Sequence, residues 1–248
     1  MDSSSIKLFA PFGALIGLVV FVVTFVIGVP LIVAAIAGVV LGVTIVVLLF
    51  HQSDALVLKG LRVQNADART QPRVLNVLDG LCDSHGFRKP TVVIVDDPAR
   101  NACGFGRRAH HSTLALTSGL VDNVDRLQLE GVLARELTAL SAKSRPAATA
   151  VVSLRRFLPR GMGDAIVQRV QGEERSVRDD FDAVRYTRYP PGLAAALATI
   201  DAGPSAVAGA NRAARHLWIV DPTTTSSSDE PSADPWPVNL RVDALREL

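Results

Sequence analysis

Length, composition and charge set the first limits on function. The chain has 248 residues, of which 48% are hydrophobic and 5% aromatic, and its formal net charge at pH 7 is +2. This charge is too small to suggest a nucleic-acid binder, and no Lys- and Arg-rich helix is interleaved with aromatic residues. The cysteines, Cys82 and Cys103, are too few for a disulfide framework and suit a reducing compartment.

The first fifty residues are predicted to form a membrane anchor. No charged residue occurs over Leu8–Phe50, and a helix of that length would cross a hydrocarbon core of about 30 Å twice. Pro30 interrupts the stretch near its middle, because proline removes a backbone donor and clashes with the preceding turn. We expect residues 1–50 to form a hairpin of two transmembrane helices, at about 8–27 and 31–50. A cleaved signal peptide is the alternative, but the apolar stretch is too long for one.

Basic residues flank the hairpin only at its two ends: Lys7, Lys59, Arg62, Arg69 and Arg73. The turn between the two helices carries no charge. Since basic residues stay on the cytoplasmic side, both ends and the soluble domain are predicted to be cytoplasmic. The protein is therefore expected to be a multi-pass protein of the cell (inner) membrane.

Four glycines in the hairpin are candidate helix-packing residues. Gly13 and Gly17 are four residues apart in the first helix, and Gly38 and Gly42 have the same spacing in the second. Small residues at this spacing let membrane helices approach closely. The pattern fits packing of the hairpin on itself, and it also fits contact with a partner protein.

The rest of the chain is predicted to be a linker at 51–71 followed by one domain at 72–248, since its length suits a single core. A low-complexity segment at about 223–234 is expected to be a flexible loop. The basic and partly apolar segment Arg145–Arg160 has two interpretations. It fits a helix packed in the core, and it fits a segment lying along an anionic membrane surface.

Local signals predict the elements that begin the domain. Apolar spacing predicts a helix over Pro72–His85, with Gly86 as its C-terminal cap. The β-branched run Thr91–Val95 predicts a buried strand. Asp125 is a plausible N-cap for a later helix lined by leucines. Two further segments, at 101–106 and 112–117, are predicted as a strand or turn and as a strand.

Several stretches resemble, in the same order, the HtpX family of membrane zinc metallopeptidases, which belong to the gluzincin class. They are Val95-Asp96-Asp97-Pro98, Leu114-Ala115-Leu116-Thr117-Ser118-Gly119-Leu120, Thr187-Arg188-Tyr189-Pro190-Pro191-Gly192-Leu193 and His216-Leu217-Trp218-Ile219-Val220-Asp221-Pro222. The resemblance covers most of the soluble part. It implies an α+β fold, with a zincin-type cytoplasmic domain that contains a small sheet and an active-site-type helix.

The resemblance also implies where a zinc site would stand. In that family a His-Glu-x-x-His helix supplies two zinc ligands and a general base, and a later glutamate supplies the third ligand. The matching positions here are Arg135, Glu136 and Ala139, with Ser176 at the third ligand. Arginine and alanine offer zinc no lone pair. We therefore predict a degenerate former site with no metal and no cofactor.

The guanidinium of Arg135 is expected to find a new role. It is predicted to pair with Glu136, or with Asp179 or Asp180 across the cleft. Its positive charge would then join the two sides of the cleft in place of the metal. The alternative is that Arg135 points to solvent.

These positions lead to the prediction that the protein is not an enzyme. It is expected to be a non-catalytic pseudopeptidase that serves as a membrane-anchored accessory or regulatory subunit of a larger complex, such as a transporter or membrane protease. The expected partners are an integral membrane protein and the lipid bilayer, without nucleic acid or zinc. Two alternatives are a decoy that binds extended peptides along the edge strand near Asn101, and an enzyme with an unrecognised site, for which the Cys103 thiol is a candidate nucleophile.

Overall fold

The computed structural model describes residues 3–108, 111–172, 174–223 and 236–248. The helices are α1 Ser3–Val26, α2 Leu31–Leu58, α3 Pro72–His85, α4 Ser118–Asn123, α5 Arg126–Ser141, α6 Arg145–Leu154, α7 Arg160–Gln171, α8 Arg175–Thr187, α9 Pro190–Asp201 and α10 Val238–Arg246, with a 3-10 helix at Arg212–Leu217. The strands are β1 Val63–Asn65, β2 Thr91–Val95, β3 Ala102–Arg108 and β4 His111–Thr117. The loop predicted at 223–234 lies, except for Thr223, outside the described residues.

Helices α1 and α2 form the predicted hairpin, and both are long and apolar enough to cross a membrane. They meet at a turn in which Gly28 takes a positive φ of 92°, a conformation that glycine adopts without steric cost. The second helix extends to Leu58, beyond the expected end at residue 50. It continues because Ser53, Leu56 and Val57 are buried against the soluble domain.

The four glycines form the seam between α1 and α2. A Cβ on Gly38 would lie 2.5 Å from the carbonyl oxygen of Gly17, and one on Gly42 would lie 2.6 Å from that of Gly13. Neither distance leaves room for a side chain. The structure therefore uses these residues to pack the hairpin on itself, which is the simpler of the two interpretations of their spacing.

The sheet has four strands in the order β1-β2-β4-β3. The β2–β4 pair is parallel, and the other two pairs are antiparallel. Strand β1 lies within residues 51–71, the segment predicted to be a linker, so that segment contributes both an edge strand and the end of α2. Its three residues are all exposed, and their sequence carries no apolar alternation that would have revealed a strand.

The two faces of the sheet bury different sets of helices. Val92, Leu114 and Leu116 pack with residues of α3, α5, α9 and α10. Val93 and Ala115 point to the opposite face and pack with the end of α2, with α6 and with the 3-10 helix. This alternation follows from the period of two along a strand, and it places α5 against one face of the sheet.

Helix α6 covers the first ten residues of the segment Arg145–Arg160 and decides between its two interpretations there. All its residues from Ala147 to Leu154 are buried, so it is a core helix. Ala150 and Leu154 pack against Phe9 and Phe50 of the hairpin. The helix therefore joins the membrane anchor to the soluble domain.

Candidate functional site

Helix α5 carries the positions at which the resemblance places the metal motif. It begins with a capping box, in which the Asp125 side chain accepts from the backbone of Gln128 and the Gln128 side chain accepts from the backbone of Asp125. This local signal fixes the start of the helix as the sequence predicts. The helix buries both Arg135 and Glu136 completely, each with 0% exposure. Charged side chains are buried this deeply only when they have partners.

Arg135 joins two carboxylates. Its Nε donates to Oδ1 of Asp180 at 2.7 Å, and its Nη1 donates to Oε1 of Glu136 at 2.5 Å. Arg241 of α10 binds the same aspartate through Nε at 2.7 Å and Nη2 at 2.9 Å, and donates through Nη1 to the Ile219 carbonyl. The expected pairing of Arg135 with Glu136 and Asp180 is confirmed, and the solvent-exposed alternative is wrong. The cluster ties α5 to α8 and α10.

The charge of Arg135 is maintained by these partners. Burial by itself would lower the pKa of the guanidinium, but the carboxylates of Asp180, Glu136 and Asp179 outweigh that effect and hold its pKa above the ordinary value. The residue is therefore a permanent cation at the centre of the domain.

Asp179 binds a second pair of arginines. Its Oδ2 accepts from Nε of Arg175 at 3.2 Å and lies 3.9 Å from Nη2 of Arg145. Burial would raise the pKa of Asp179, but Arg175, Arg145 and Arg135 hold it below the ordinary value. Arg145 also donates through Nε to the Ala139 carbonyl at 3.1 Å. Ala139 and Ser176 are both buried.

Sequence reasoning missed Arg145 and Arg175. Each is the first residue of its helix, α6 and α8 respectively. A cation is unfavourable at a helix N-terminus, so an arginine there is a signal that a nearby group compensates it. That signal was present in the sequence once the helix starts were placed.

The residues at these positions do not fit zinc. Arg135 has no lone pair, Ala139 has no ligand atom, and Asp179 and Asp180 already bind arginines. In the part of the chain that the structure describes, no three His, Cys, Asp or Glu residues are grouped as a metal site. That the four positions descend from a zinc site stays a prediction.

Two other titratable groups border the cluster. His216 is buried, and desolvation, with the nearby cations, lowers its pKa to about 3. Its Nε2 donates to the Ala148 carbonyl at 2.9 Å, and its Nδ1 accepts from Arg155 at 3.3 Å, so the ring is neutral. Cys103 is buried, and desolvation together with Glu136 raises its pKa well above the usual value. A thiol held protonated in this way does not suit a nucleophile.

The edge of the sheet near the cluster is covered by the chain itself. The backbone N–H of Ile219 donates to the Ala102 carbonyl at 2.9 Å, and Cys103 forms an antiparallel bridge with Trp218. Further along β3, Gly106 donates to Oγ1 of Thr149 at 3.1 Å. An extended peptide that added to β3 near Asn101, as the decoy alternative requires, would have to displace these contacts.

Comparison with known proteins gives a consistent set of relatives. A "Protease HtpX homolog" of Dictyoglomus thermophilum is 28% identical over 233 residues, covering 80% of this chain and 77% of the relative. Proteins of the same name from Tropheryma whipplei and Acidiphilium cryptum are 26% and 27% identical over similar lengths. No protein-family model matches the chain, and no solved structure gives a significant match.

Two apolar helices of membrane-spanning length, followed by a small mixed sheet packed against helices, define a membrane-anchored α+β protein with a protease-like domain. The chain is similar to HtpX-type proteases over about four fifths of its length, as the residue matches suggested.

The prediction that the protein is not an enzyme is contradicted by these relatives. All of them are named as proteases and match about four fifths of the chain, which points to a peptidase. The prediction went too far because it inferred the activity of a whole protein from three side chains. Those side chains decide only whether zinc can bind in the family's manner.

Proposed function

We propose that the protein is a membrane-anchored HtpX-type subunit that associates with an integral membrane protein and holds its soluble domain at the cytoplasmic surface beside that partner. The observation that carries the proposal is the fixed connection between the hairpin and the soluble domain. A flexible tether would leave the domain free to move, whereas this connection sets its position.

Several contacts make that connection. Ser53 on α2 donates to the Ala150 carbonyl at 3.4 Å and bonds to the Ser153 hydroxyl at 3.2 Å, both on α6. Arg107 on β3 donates to Asp54 on α2 at 2.7 Å. Phe9 and Phe50 of the hairpin pack against Ala150 and Leu154 of α6. A partner bound to the hairpin would therefore be held in a defined position relative to the domain.

One side of the hairpin offers an apolar groove for such a partner. The groove has a volume of about 560 Å³ and runs between α1 and α2, with small exposed residues on its floor, among them Ala10, Ala14 and Ala35. Helices associate in lipid by close packing at small residues, because the hydrophobic effect does not drive them together there. A helix of an integral membrane protein is the occupant that this groove favours.

The orientation rests on the flanking charges. Basic residues occur before α1 and after α2, whereas the turn at Gly28 is uncharged, so the positive-inside rule favours a cytoplasmic domain. Labelling of a single cysteine introduced at Gly28, or at the exposed Leu127 of the domain, in chains whose buried Cys82 and Cys103 are replaced, tests this in intact cells with a membrane-impermeant reagent. Labelling at Gly28 together with protection of the domain supports the orientation, and the reverse pattern contradicts it.

Purification from native membranes in a gentle detergent, with mass spectrometry, tests the association. Wild type is expected to retain a stoichiometric integral membrane protein. The groove-filling variants Ala14→Phe and Ala35→Phe should release it. The matched controls Val33→Phe and Val40→Phe change exposed positions that do not line the groove, and they should keep it. Equal retention by all four variants would place the contact outside the groove, and copurifying lipid alone would count against a protein partner.

Proteolysis is the second candidate function, and the names of the relatives favour it. Oε2 of Glu136 has no hydrogen-bond partner among the described residues and lies against Gly104 of β3. Since Glu136 is fully buried, a substrate would reach it only if α5 and β3 separated. Hydrolysis of an unfolded protein by the purified full-length chain, lost in Glu136→Gln, supports this candidate. Hydrolysis that is unchanged by Glu136→Gln would remove Glu136 from the reaction.

A further inference from the structure

The arginines around Asp179 and Asp180 have more donors than the protein supplies acceptors for. Nη2 of Arg135, both Nη1 and Nη2 of Arg145, and Nη2 of Arg175 are buried without a hydrogen-bond partner in the described part of the chain. An unsatisfied buried donor costs about 1–3 kcal/mol, and more when it is charged. The cluster also holds one unsatisfied acceptor, Oε2 of Glu136, so the unsatisfied donors outnumber it four to one and indicate that a further acceptor belongs among them.

The balance of charge points the same way. Four guanidinium groups, those of Arg135, Arg145, Arg175 and Arg241, face three carboxylates, which belong to Glu136, Asp179 and Asp180. One positive charge is left in excess. The adjacent His216 is neutral, and it adds nothing to correct the balance.

Two helices add to the positive potential at this place. Arg145 and Arg175 begin α6 and α8, which have 10 and 13 residues. Neither helix has a side-chain cap, so the N-terminal N–H groups contribute partial positive charge. Helix N-termini are common anion-binding positions. Burial and the neighbouring Arg145 also lower the pKa of Arg175 to about 10, as expected where cations are crowded.

We propose that Arg135, Arg145 and Arg175 bind a small monovalent inorganic anion of the chloride class. The single excess charge sets the valence of the anion. The complete burial of the four nitrogens limits its size, since a larger oxyanion would have to displace the surrounding side chains. The site lies where the resemblance places the zinc of the family, so an anion would be bound here in place of that cation.

The anion would add a shared contact among three helices, of which α5 and α8 are already joined by the Arg135–Asp180 pair. Arg135 is on α5, Arg145 on α6 and Arg175 on α8. An ion bound by all three would therefore stabilise the soluble domain, including α6, on which the hairpin rests. Its release would loosen the same three helices together.

Thermal unfolding of the full-length protein in detergent tests the proposal. Sodium chloride is added in place of sodium gluconate, so that the ionic strength stays constant. The unfolding temperature is expected to rise with the logarithm of the chloride concentration above its dissociation constant, by about 5–11 °C at a hundredfold excess. Arg145→Met should abolish the rise. The matched control Arg185→Met removes an arginine from α8 whose side chain is 82% exposed, and it should keep the rise.

A second measurement decides the matter even if Arg145→Met does not fold. Crystals of the wild-type chain grown in sodium bromide are expected to show an anomalous peak among the three arginines. Ordered water at all four nitrogens, without a bromide peak, would overturn the proposal. So would a rise of the unfolding temperature with chloride that Arg145→Met leaves unchanged.

Discussion

Replacing Arg135 with methionine removes the central cation while keeping a side chain of similar length. Asp180 keeps its bidentate partner Arg241, so the loss falls mainly on Glu136, which has 0% exposure and only Arg135 as its ion-pair partner in the described structure. Breaking a buried pair on one side costs about 3–5 kcal/mol. The retained Asp180–Arg241 pair places the expected value near the lower end of that range.

Thermal unfolding followed by circular dichroism measures the effect. For a protein of this size, about 3 kcal/mol corresponds to a fall of roughly 6–12 °C in the unfolding temperature. The exposed control Arg185→Met should change it by less than about 2 °C, because an exposed ion pair one helical turn apart contributes about 0.3–0.5 kcal/mol.

The double variant Arg135→Met/Glu136→Gln shows whether the buried carboxylate is the cause. Removing its charge should recover part of the loss, so that the double variant is more stable than Arg135→Met alone. If Arg135→Met lies within 2 °C of wild type, or if the double variant is the less stable of the two, the buried ion pair does not hold this region together.

The remaining predictions concern pH and the hairpin. His216 has a pKa of about 3 in the folded protein and an ordinary value of 6.5. The free energy of unfolding should therefore fall by up to about 1.4 kcal/mol per pH unit as the pH drops from 6.5 to 3. His216→Phe should flatten that slope when the unfolding temperature is measured across acid pH, and an unchanged slope would contradict the neutral ring. Asp179 has a pKa in the folded protein below the ordinary 3.8, so its stabilisation of the fold is complete above pH 3.8 and is lost as the pH falls through the folded value. The stability that Asp179→Asn loses relative to wild type should therefore shrink over that range. A loss that does not change with pH would contradict the lowered pKa. Gly38→Leu should separate α1 from α2, whereas Val40→Leu should not. Cysteine cross-linking between the two helices measures their separation. Equal cross-linking of both variants would show that the glycines do not set the packing of α1 on α2.

Local elements follow closely from the sequence. Helix α3 begins at Pro72 and ends at His85 as predicted, with Gly86 in the left-handed conformation, because a proline start and a glycine cap are encoded within a few residues. The capping box at Asp125 is confirmed for the same reason. The strand Thr91–Val95 is confirmed because its β-branched run suits a buried, pleated position.

Features that depend on distant contacts did not follow. Strand β1 is three exposed residues paired with β2. Helix α2 continues past His51 because the soluble domain buries Ser53, Leu56 and Val57 at its end. The pairing of Arg135 with Asp180 was foreseen, since the resemblance brought the two helices together. The roles of Arg145 and Arg175 were not, because they arise only when the starts of α6 and α8 meet at Asp179. Activity was judged wrongly from the same few positions.

The metal content of the purified protein tests the central claim, that an arginine cluster occupies the place of the family's zinc site. Elemental analysis of the wild-type chain is expected to find no stoichiometric zinc. The triple variant Arg135→His/Ala139→His/Ser176→Glu, which supplies the three ligands, should bind about one zinc per chain. About one zinc in the wild-type chain, or none in a folded triple variant, would show that these positions do not correspond to the site.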